Sequence, residues 1–313
     1  MAARAAAAAS VTPSPKKKQK VHRASISPTS QVKQRTLFPA KDNTPTLTRD
    51  EIRQLIHSHI PNASDNISTV TLDGWCLVDA LSHCATASDG ILNDLIKEYG
   101  PPKCYLKYFE TCRTNTRGRS EDGYQSFRSL CRIVASQQLA GKAAGTIWER
   151  FLGVAGATKN DTTNLTPQAI LSIVQNGNIE EDLRAPAGLS NAKCRSIIAL
   201  SEAFEAGDLS DEILNSFSDE EVSQKLQNVK GIGPWSVDMF QLFEAHRKNI
   251  LPLGDLAVRN GTAKLWKVKG KGKNGKLCAK KDKDLIEGLH EPFSPYRSIS
   301  SYYMYQLVDA KDK

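Results

Sequence analysis

Two short stretches of this chain contain residues whose types and spacing could do chemistry. "NVKGIGPWSVDMF", residues 228–240, has two glycines around an isoleucine, then a proline and a tryptophan. "LPLGDLAVRNG", residues 251–261, brings Asp255 to the end of a Gly/Pro-rich loop. A carboxylate can stabilise a developing positive charge or orient an attacking water. An indole face attracts cations, so the surroundings of these two side chains decide what the chain can do.

The two glycines form the corner between two predicted helices. A short helix precedes Val229 and Lys230, and a second helix begins at Pro234. Gly231 and Gly233 allow positive φ and leave no Cβ between the backbone and a partner. Several N–H groups then converge at the positive end of the second helix and form a seat for a phosphate. Many corners between helices share this pattern without a ligand.

Each of these residues also has a plainer structural role open to it. An Asp at a helix start is usually an N-cap, so Asp255 could simply cap the helix that follows it. Trp235 and Met239 lie one turn apart on the same helix face, and both could be core residues. The polar bend "SQQLAG", residues 136–141, could do no more than cap its neighbouring helices. The residues alone leave these alternatives open.

The elements that would position these residues are helices almost throughout. Beyond the first 45 residues, apolar side chains recur at helical spacing. N-caps are predicted at Thr48, Ser190 and Ser218, the last of which opens a capping box with the glutamate three residues on. A further helix is predicted from a cap at Ser88 to a stop at Gly100.

Two of the predicted helices meet near residues 137–141. Strand-like alternation is weak and confined to residues 66–81. We therefore expect a mostly α fold with about ten helices joined by short loops.

Basic residues are concentrated in two places. The formal net charge of the 313 residues is +8. Residues 1–45 carry +8 and residues 267–284 carry +6, together +14, so the rest of the chain carries −6. The basic character belongs to two appendages, which favours a nucleic-acid partner for them.

The first 45 residues are rich in Ala, Ser, Thr, Pro and Lys, and we expect them to be a disordered basic tail. "PSPKKKQKV", residues 13–21, has the composition of a nuclear import signal. No acidic residue precedes Asp42, which leaves a transit peptide for a mitochondrion or another organelle open. "QRTLFPA", residues 34–40, loosely resembles the motif that docks on sliding clamps, without its final aromatic pair. We expect at most a weak clamp contact there.

The seven cysteines are scattered and form no CxxC pair. This pattern indicates reduced thiols in an intracellular protein, and it argues against zinc or an iron–sulfur cluster. No run of 18 apolar residues occurs, so we expect no membrane span. We also expect no organic cofactor and no metal held by side chains.

In combination, these motifs resemble the helix-hairpin-helix DNA glycosylase superfamily, and in particular its DNA-3-methyladenine glycosylase branch. The resemblance covers about residues 92–309, whereas residues 46–91 match nothing recognisable. It implies a two-lobed helical domain over residues 46–313 with the active-site cleft between the lobes, a hairpin at 229–233 and a basic loop insertion at 267–284. The motifs that carry it are "VASQQLAGKAAGTIWERF" (134–151), "GLSNAKCRSI" (188–197), "GIGPWSVDMF" (231–240), "PLGDLAVRNG" (252–261) and "SPYRSISSYYMYQLVD" (294–309).

The resemblance implies a role for each chemical group. Asp255 would be the catalytic carboxylate that stabilises an oxocarbenium-like sugar and orients water. Bifunctional relatives have a lysine at the position of Trp235, which forms a Schiff base with the sugar. Tryptophan cannot, so base excision without strand cleavage is expected. Trp235 and Met239 would line the pocket for alkylated purines such as 3-methyladenine and 7-methylguanine, whose positive charge suits an indole face.

The resemblance also implies a duplex DNA partner whose target base is flipped out of the stack. Gln138 would fill the gap that the base leaves, with Gln137 beside it. Carbonyl groups of the hairpin could hold a monovalent cation. The residues expected to contact DNA are Gln137, Gln138, Lys142, Val229, Lys230, Gly231 and Gly233.

We therefore predict a nuclear, monomeric, monofunctional DNA glycosylase that hydrolytically removes alkylated purines in base excision repair. One alternative is a non-catalytic DNA-binding protein that uses the hairpin only to hold phosphates. Another is a glycosylase for oxidised, deaminated or mismatched bases, since the sequence does not rank lesions.

Overall fold

The computed structural model of the chain describes residues 45–60, 71–72, 75–106, 122–139 and 141–309. The predicted import signal at 13–21, the predicted clamp contact at 34–40 and all but the last residue of the tail lie outside the described residues. In chain order the elements are α1 (Arg49–His59), β1 (Thr71–Leu72), β2 (Trp75–Cys76), α2 (Leu77–Gly90), α3 (Asn93–Tyr99), α4 (Gln125–Ser136), α5 (Gly141–Val154), α6 (Pro167–Asn176), a π-helical turn (Ile179–Arg184), α7 (Ala185–Ala187), α8 (Asn191–Glu205), α9 (Asp211–Ser216), α10 (Asp219–Gln227), α11 (Pro234–Phe243), α12 (Leu256–Trp266), a 3₁₀ turn (Lys273–Gly275), α13 (Lys283–His290), a second 3₁₀ turn (Glu291–Phe293) and α14 (Arg297–Asp309). The prediction of a mostly α fold is confirmed.

The first hydrophobic core joins the beginning and the end of the described chain. Helices α1, α2 and α3 pack with α12 and α14 around buried side chains such as Ile52, Leu81, Leu265 and Tyr303. The described parts of residues 46–91, for which the sequence suggested no role, therefore complete the lobe that contains α12.

The second core is formed by the middle of the chain. Side chains of α4, α5, α6, α8 and α10 surround buried residues such as Phe127, Phe151, Ile197 and Leu226. Helix α11 belongs to both cores, because Val237 lies in the second core while Phe243 packs against the first. Residues near the start of α11 are thus held where the two cores meet.

Local chemistry explains most helix boundaries. Thr48 and Ser218 each open a capping box, in which the hydroxyl accepts the N–H of a glutamate whose side chain bonds back. Ser190 accepts the N–H of Lys193. The predicted caps at Thr48, Ser190 and Ser218 are confirmed, and so is the break between two helices at residues 137–141.

One predicted boundary is wrong. Ser88 does not cap a helix, because Ser88 and Asp89 adopt left-handed φ angles of 52° and 56° at the end of α2. The next helix starts only at Asn93, although it stops at Gly100 as predicted. The weak strand pattern becomes a two-residue antiparallel pair, β1 with β2, followed directly by α2.

The carboxylate of Asp211 caps α4 from a distant part of the chain. Its oxygens accept the N–H groups of Ser126 and Gln125 at 2.8 and 2.9 Å, and the residue is buried. This pairing of α9 with the first turn of α4 is invisible in the sequence, because 85 residues separate the partners. In the ranges that the structure covers, no helix is long and apolar enough to cross a membrane.

Candidate active site

Asp255 lies at the junction of the two cores with both carboxylate oxygens engaged. Oδ1 accepts the backbone N–H of Val258 at 3.0 Å, which makes Asp255 the N-cap of α12. Oδ2 accepts the indole Nε1–H of Trp235 at 2.7 Å. Asp255 is only 7% exposed. The structural role and the proposed chemical role are therefore compatible, since the cap fixes the carboxylate and Trp235 fixes its plane.

A third group reaches Asp255 from the last helix. The hydroxyl of Tyr305, on α14, lies near Asp255 and donates to the Sδ of Met239 at 3.5 Å. Burial raises the pKa of Tyr305, and the nearby charge of Asp255 raises it further, so the phenol remains protonated. Met239 is buried in this contact. No pattern in the sequence distinguishes Tyr305, which is one of three tyrosines within four residues of α14.

The site holds an excess of negative charge. Every partner of Asp255 named above is neutral, and within the described ranges no Lys or Arg forms an ion pair with Asp255 or Asp238. Burial raises the pKa of Asp238 to about 7, and the negative charge of Asp255 contributes to the rise. Such a site favours a cationic ligand or a cationic transition state.

Asp238 gives the fold a pH dependence whose sign is fixed by its raised pKa. Between about pH 4 and pH 7 the folded protein holds a proton that the unfolded chain releases, so stability present below pH 4 is lost as pH rises through 7. We expect Asp238→Asn to remove this loss, which is on the order of 2 kcal/mol. Urea unfolding at pH 5 and pH 8 tests this, with the exposed Asp284→Asn as control. An unchanged pH profile for Asp238→Asn contradicts the assignment.

The predicted hairpin connects α10 to α11. Gly231 has a left-handed φ of 88°, and a Cβ there would overlap Ser196 of α8, whose Cβ would be 2.8 Å away. At Gly233, the N-cap of α11, a Cβ would meet nothing within 4 Å. Val229 is buried in the second core while Lys230 is exposed. The backbone of Gly233 is therefore open to a partner, whereas Val229 is held inside.

The polar bend between α4 and α5 is fastened to the hairpin. The amide Nε2 of Gln137 donates to Ser236 Oγ at 2.9 Å and to the Gly231 carbonyl at 3.3 Å. Gln138 is exposed and adopts a left-handed φ of 58°. Gln137 thus connects the bend to the hairpin, and the wedge role of the exposed Gln138 stays a prediction.

Two exposed leucines near these residues were not predicted from the sequence as part of the site. Leu139, directly after Gln138, is 39% exposed, and Leu256, directly after Asp255, is 56% exposed. Apolar side chains on a DNA-facing surface can enter the base stack. Leu139 is an apolar residue inside a polar bend, and Leu256 is an apolar residue directly after an N-cap. These two placements are the sequence signals that could have identified them.

Two lysines near helix starts, Lys142 and Lys193, differ in their surroundings. Lys142 is exposed in the first turn of α5. Lys193 donates to the Ala135 carbonyl at 2.8 Å, and burial lowers the pKa of Lys193. Lys142 remains available to a phosphate, whereas Lys193 stabilises the end of α4. Among the described residues, no group of three His, Cys, Asp or Glu side chains could hold a metal ion.

Comparison with known proteins gives a consistent picture. The family model for the HhH-GPD superfamily base excision DNA repair protein matches residues 131–286. The chain is 29% identical to DNA-3-methyladenine glycosylase 1 of Schizosaccharomyces pombe over 201 residues, which are 62% of this chain and 77% of the relative. It is also 29% identical to the DNA-3-methyladenine glycosylase of Saccharomyces cerevisiae, over 58% of this chain and 66% of the relative.

The fold agrees with a solved relative. The structure of Schizosaccharomyces pombe 3-methyladenine DNA glycosylase (Mag1) in complex with abasic DNA matches with a TM-score of 0.56 and 27% identity. The match covers 73% of this chain and 95% of that structure.

Proposed function

The chain belongs to the HhH-GPD superfamily of base excision DNA repair proteins, and we propose that its substrate is duplex DNA carrying alkylated purines. It is an alkylbase DNA glycosylase, a hydrolase of the N-glycosidic bond. The observation that carries the substrate assignment is a buried Asp255 carboxylate held by neutral donors, with a second carboxylate nearby. An alkylated purine such as 3-methyladenine or 7-methylguanine is itself a cation.

The reaction divides between the base and the sugar. When the bond from C1′ to the purine nitrogen breaks, its electron pair moves to the base and neutralises the positive charge there. The sugar becomes oxocarbenium-like, and the Asp255 carboxylate stabilises it. Water then attacks C1′ and gives its proton to Asp255 or solvent, leaving a free base and an abasic site. A cationic base leaves without acid assistance, so one catalytic carboxylate is sufficient.

Trp235 has two roles in this proposal. Its Nε1–H orients Asp255, and its ring face stacks on the flipped purine, with a contribution of about 1–2 kcal/mol. An indole cannot form a Schiff base, so the strand stays intact. Met239 accepts a hydrogen bond from Tyr305, whose hydroxyl lies near the carboxylate, and both would line the base pocket.

The test is release of bases from duplex DNA treated with a methylating agent. We expect chromatography to show free methylated purines, and strands to break only after alkali is added. Strand cleavage without alkali would contradict the monofunctional mechanism. Release of oxidised or deaminated bases, with none of the methylated ones, would favour the glycosylase for other lesions.

Trp235→Phe separates the two roles of the indole. The ring face is kept, but Asp255 loses its donor at 2.7 Å. A hydrogen bond to a charged group contributes about 1.5–3 kcal/mol, so we expect base release to slow by about 10- to 100-fold with unchanged DNA affinity. Trp148→Phe, which removes an indole N–H from α5, is the matched control. Equal single-turnover rates for Trp235→Phe and wild type would overturn this role.

Four further properties complete the proposal. The basic run at 13–21 would direct the protein to the nucleus, which a fluorescent fusion with Lys16, Lys17 and Lys18 changed to alanine would test. A monomer is sufficient, because Asp255, Trp235 and Tyr305 all come from one chain. The segment at 34–40 would add at most a weak sliding-clamp contact, and hairpin carbonyls would be the ligands of any monovalent cation.

A further inference from the structure

The segment that follows α12 is a closed, hydrogen-bonded turn. We call residues 267–283 the basic turn. Backbone bonds join Gly270 N–H to the Gly275 carbonyl at 2.8 Å and Gly272 N–H to the Lys276 carbonyl at 2.9 Å. A Cβ at Gly270 would lie 2.5 Å from both Leu277 Cα and the Lys276 carbonyl oxygen. Residues 270–272 therefore pack directly against residues 275–277, and a side chain at Gly270 would not fit between them.

A single carboxylate holds this turn from inside. Asp282 is 3% exposed, and it accepts the N–H of Lys271 at 2.9 Å and the N–H of Cys278 at 2.8 Å. Its oxygens are engaged with the backbone rather than with lysine ammonium groups. The carboxylate therefore organises the turn while the lysine side chains extend outward.

The lysines of the basic turn form an exposed cationic surface. Eight exposed lysines lie on it, namely Lys267, Lys269, Lys271, Lys273, Lys276, Lys280, Lys281 and Lys283. Lys283 pairs with Glu287 at 3.6 Å. In the part of the chain that the structure describes, Lys269, Lys273 and Lys276 form no ion pair with a carboxylate. Lysines held this close together repel each other, and an anionic partner would offset that repulsion.

We propose that the basic turn binds the phosphate backbone of the DNA duplex beside the lesion, as a second contact separate from the active site. This inference rests on the proposed function for the identity of the partner. Helix α12 connects Asp255 to the turn, and its 11 residues span about 16 Å. Base pairs follow each other at about 3.4 Å along the duplex axis, so a distance of this size corresponds to several base pairs.

Asp282→Asn distinguishes an organised turn from a simple sum of charges. The variant loses one negative charge, so its net charge rises by one and charge counting predicts tighter DNA binding. Oδ2 accepts both N–H groups, and Oδ1 also lies 3.1 Å from the N–H of Lys271. In the variant the accepting oxygen is uncharged and an amide NH₂ faces the N–H of Lys271, which loosens the turn, so we expect binding to weaken by about threefold or more. Fluorescence anisotropy with an undamaged 25-base-pair duplex measures the dissociation constant. Tighter binding would overturn the proposal.

Lysine substitutions test the contact without disturbing the turn. We expect the triple variant Lys269→Gln, Lys273→Gln and Lys276→Gln to lower the slope of log Kd against log salt by about 2–3, near 0.9 for each lost phosphate contact. Lys283→Gln, whose charge Glu287 already offsets, is the matched control and changes the slope least. An unchanged slope in the triple variant would overturn the proposal.

The rate of base release keeps this test independent of the active site. At saturating enzyme, the triple variant should release bases as fast as wild type. If wild type releases no base at all, the proposed function fails. The difference between wild type and the triple variant in the slope of log Kd against log salt, measured on undamaged DNA, still tests whether the basic turn binds DNA. If the triple variant loses binding only to an acidic polypeptide such as polyglutamate, the partner is a protein and the DNA proposal is overturned.

Discussion

Asp255→Asn should slow base release by at least about 100-fold while leaving DNA binding intact. The amide carries no charge to stabilise the oxocarbenium-like sugar, and loss of one such electrostatic group costs about 10²–10³ in rate. Asn is as good an N-cap as Asp, so α12 keeps its first turn. The rate constant comes from single-turnover reactions on methylated duplex DNA. Because Trp235 must then face either an amide oxygen or an amide NH₂, a small loss of stability of about 1 kcal/mol is expected.

Asp211→Asn is the matched control for this variant. Asp211 is also buried and also accepts one N–H on each oxygen, from Gln125 and Ser126. It is the first residue of α9 and caps α4, whereas Asp255 caps α12. We expect the control to lose stability and to keep its rate of base release. Equal losses of rate in both variants would mean that the effect of Asp255→Asn comes from folding and not from chemistry.

Gly231→Ala should have the largest effect on stability. The residue has φ 88°, which costs a side chain about 1–2 kcal/mol, and its Cβ would overlap Ser196. Overpacking adds about 1–3 kcal/mol. We expect a total loss of about 3 kcal/mol, which corresponds to a melting midpoint lowered by about 6–12 °C. Calorimetry or circular dichroism measures it, and a midpoint within 2 °C, about the shift per kcal/mol, would contradict the packing described here.

Two further variants divide this effect into its parts. The double variant Ser196→Gly with Gly231→Ala relieves the overlap but keeps the left-handed φ. We therefore expect Gly231→Ala to lower the free energy of unfolding less in the Ser196→Gly background than in wild type. Gly233→Ala should fold normally, because its Cβ meets nothing within 4 Å. It should nevertheless weaken DNA binding, since the added methyl group separates the backbone N–H groups from a phosphate. Unchanged binding would argue against a phosphate at the hairpin.

Local chemistry made a large part of this molecule predictable. The capping box at Ser218, the helix start at Pro234 and the N-cap at Asp255 depend on residues within four positions of each other, and the structure has all three. The family resemblance assigned Trp235 and Asp255 to one site, and the structure joins them by a direct hydrogen bond. Its assignment to catalysis remains a prediction.

Contacts between distant residues could not be predicted in the same way. Tyr305 reaches Asp255 across 50 residues of chain, and nothing in its own surroundings distinguishes it from Tyr302 or Tyr303. Asp282 organises a lysine-rich segment that composition describes only as charged. Such contacts depend on how helices pack against each other. Helix caps and apolar periodicity predict single helices and not their packing.

The most direct test of the whole account compares wild type and Asp255→Asn on one duplex that contains 7-methylguanine, with enzyme in excess and the bound fraction measured in each reaction. The account predicts equal binding, release of 7-methylguanine by wild type alone, and an abasic strand that stays intact until alkali is added. Release of the base at the same rate by both proteins would contradict the central role of Asp255.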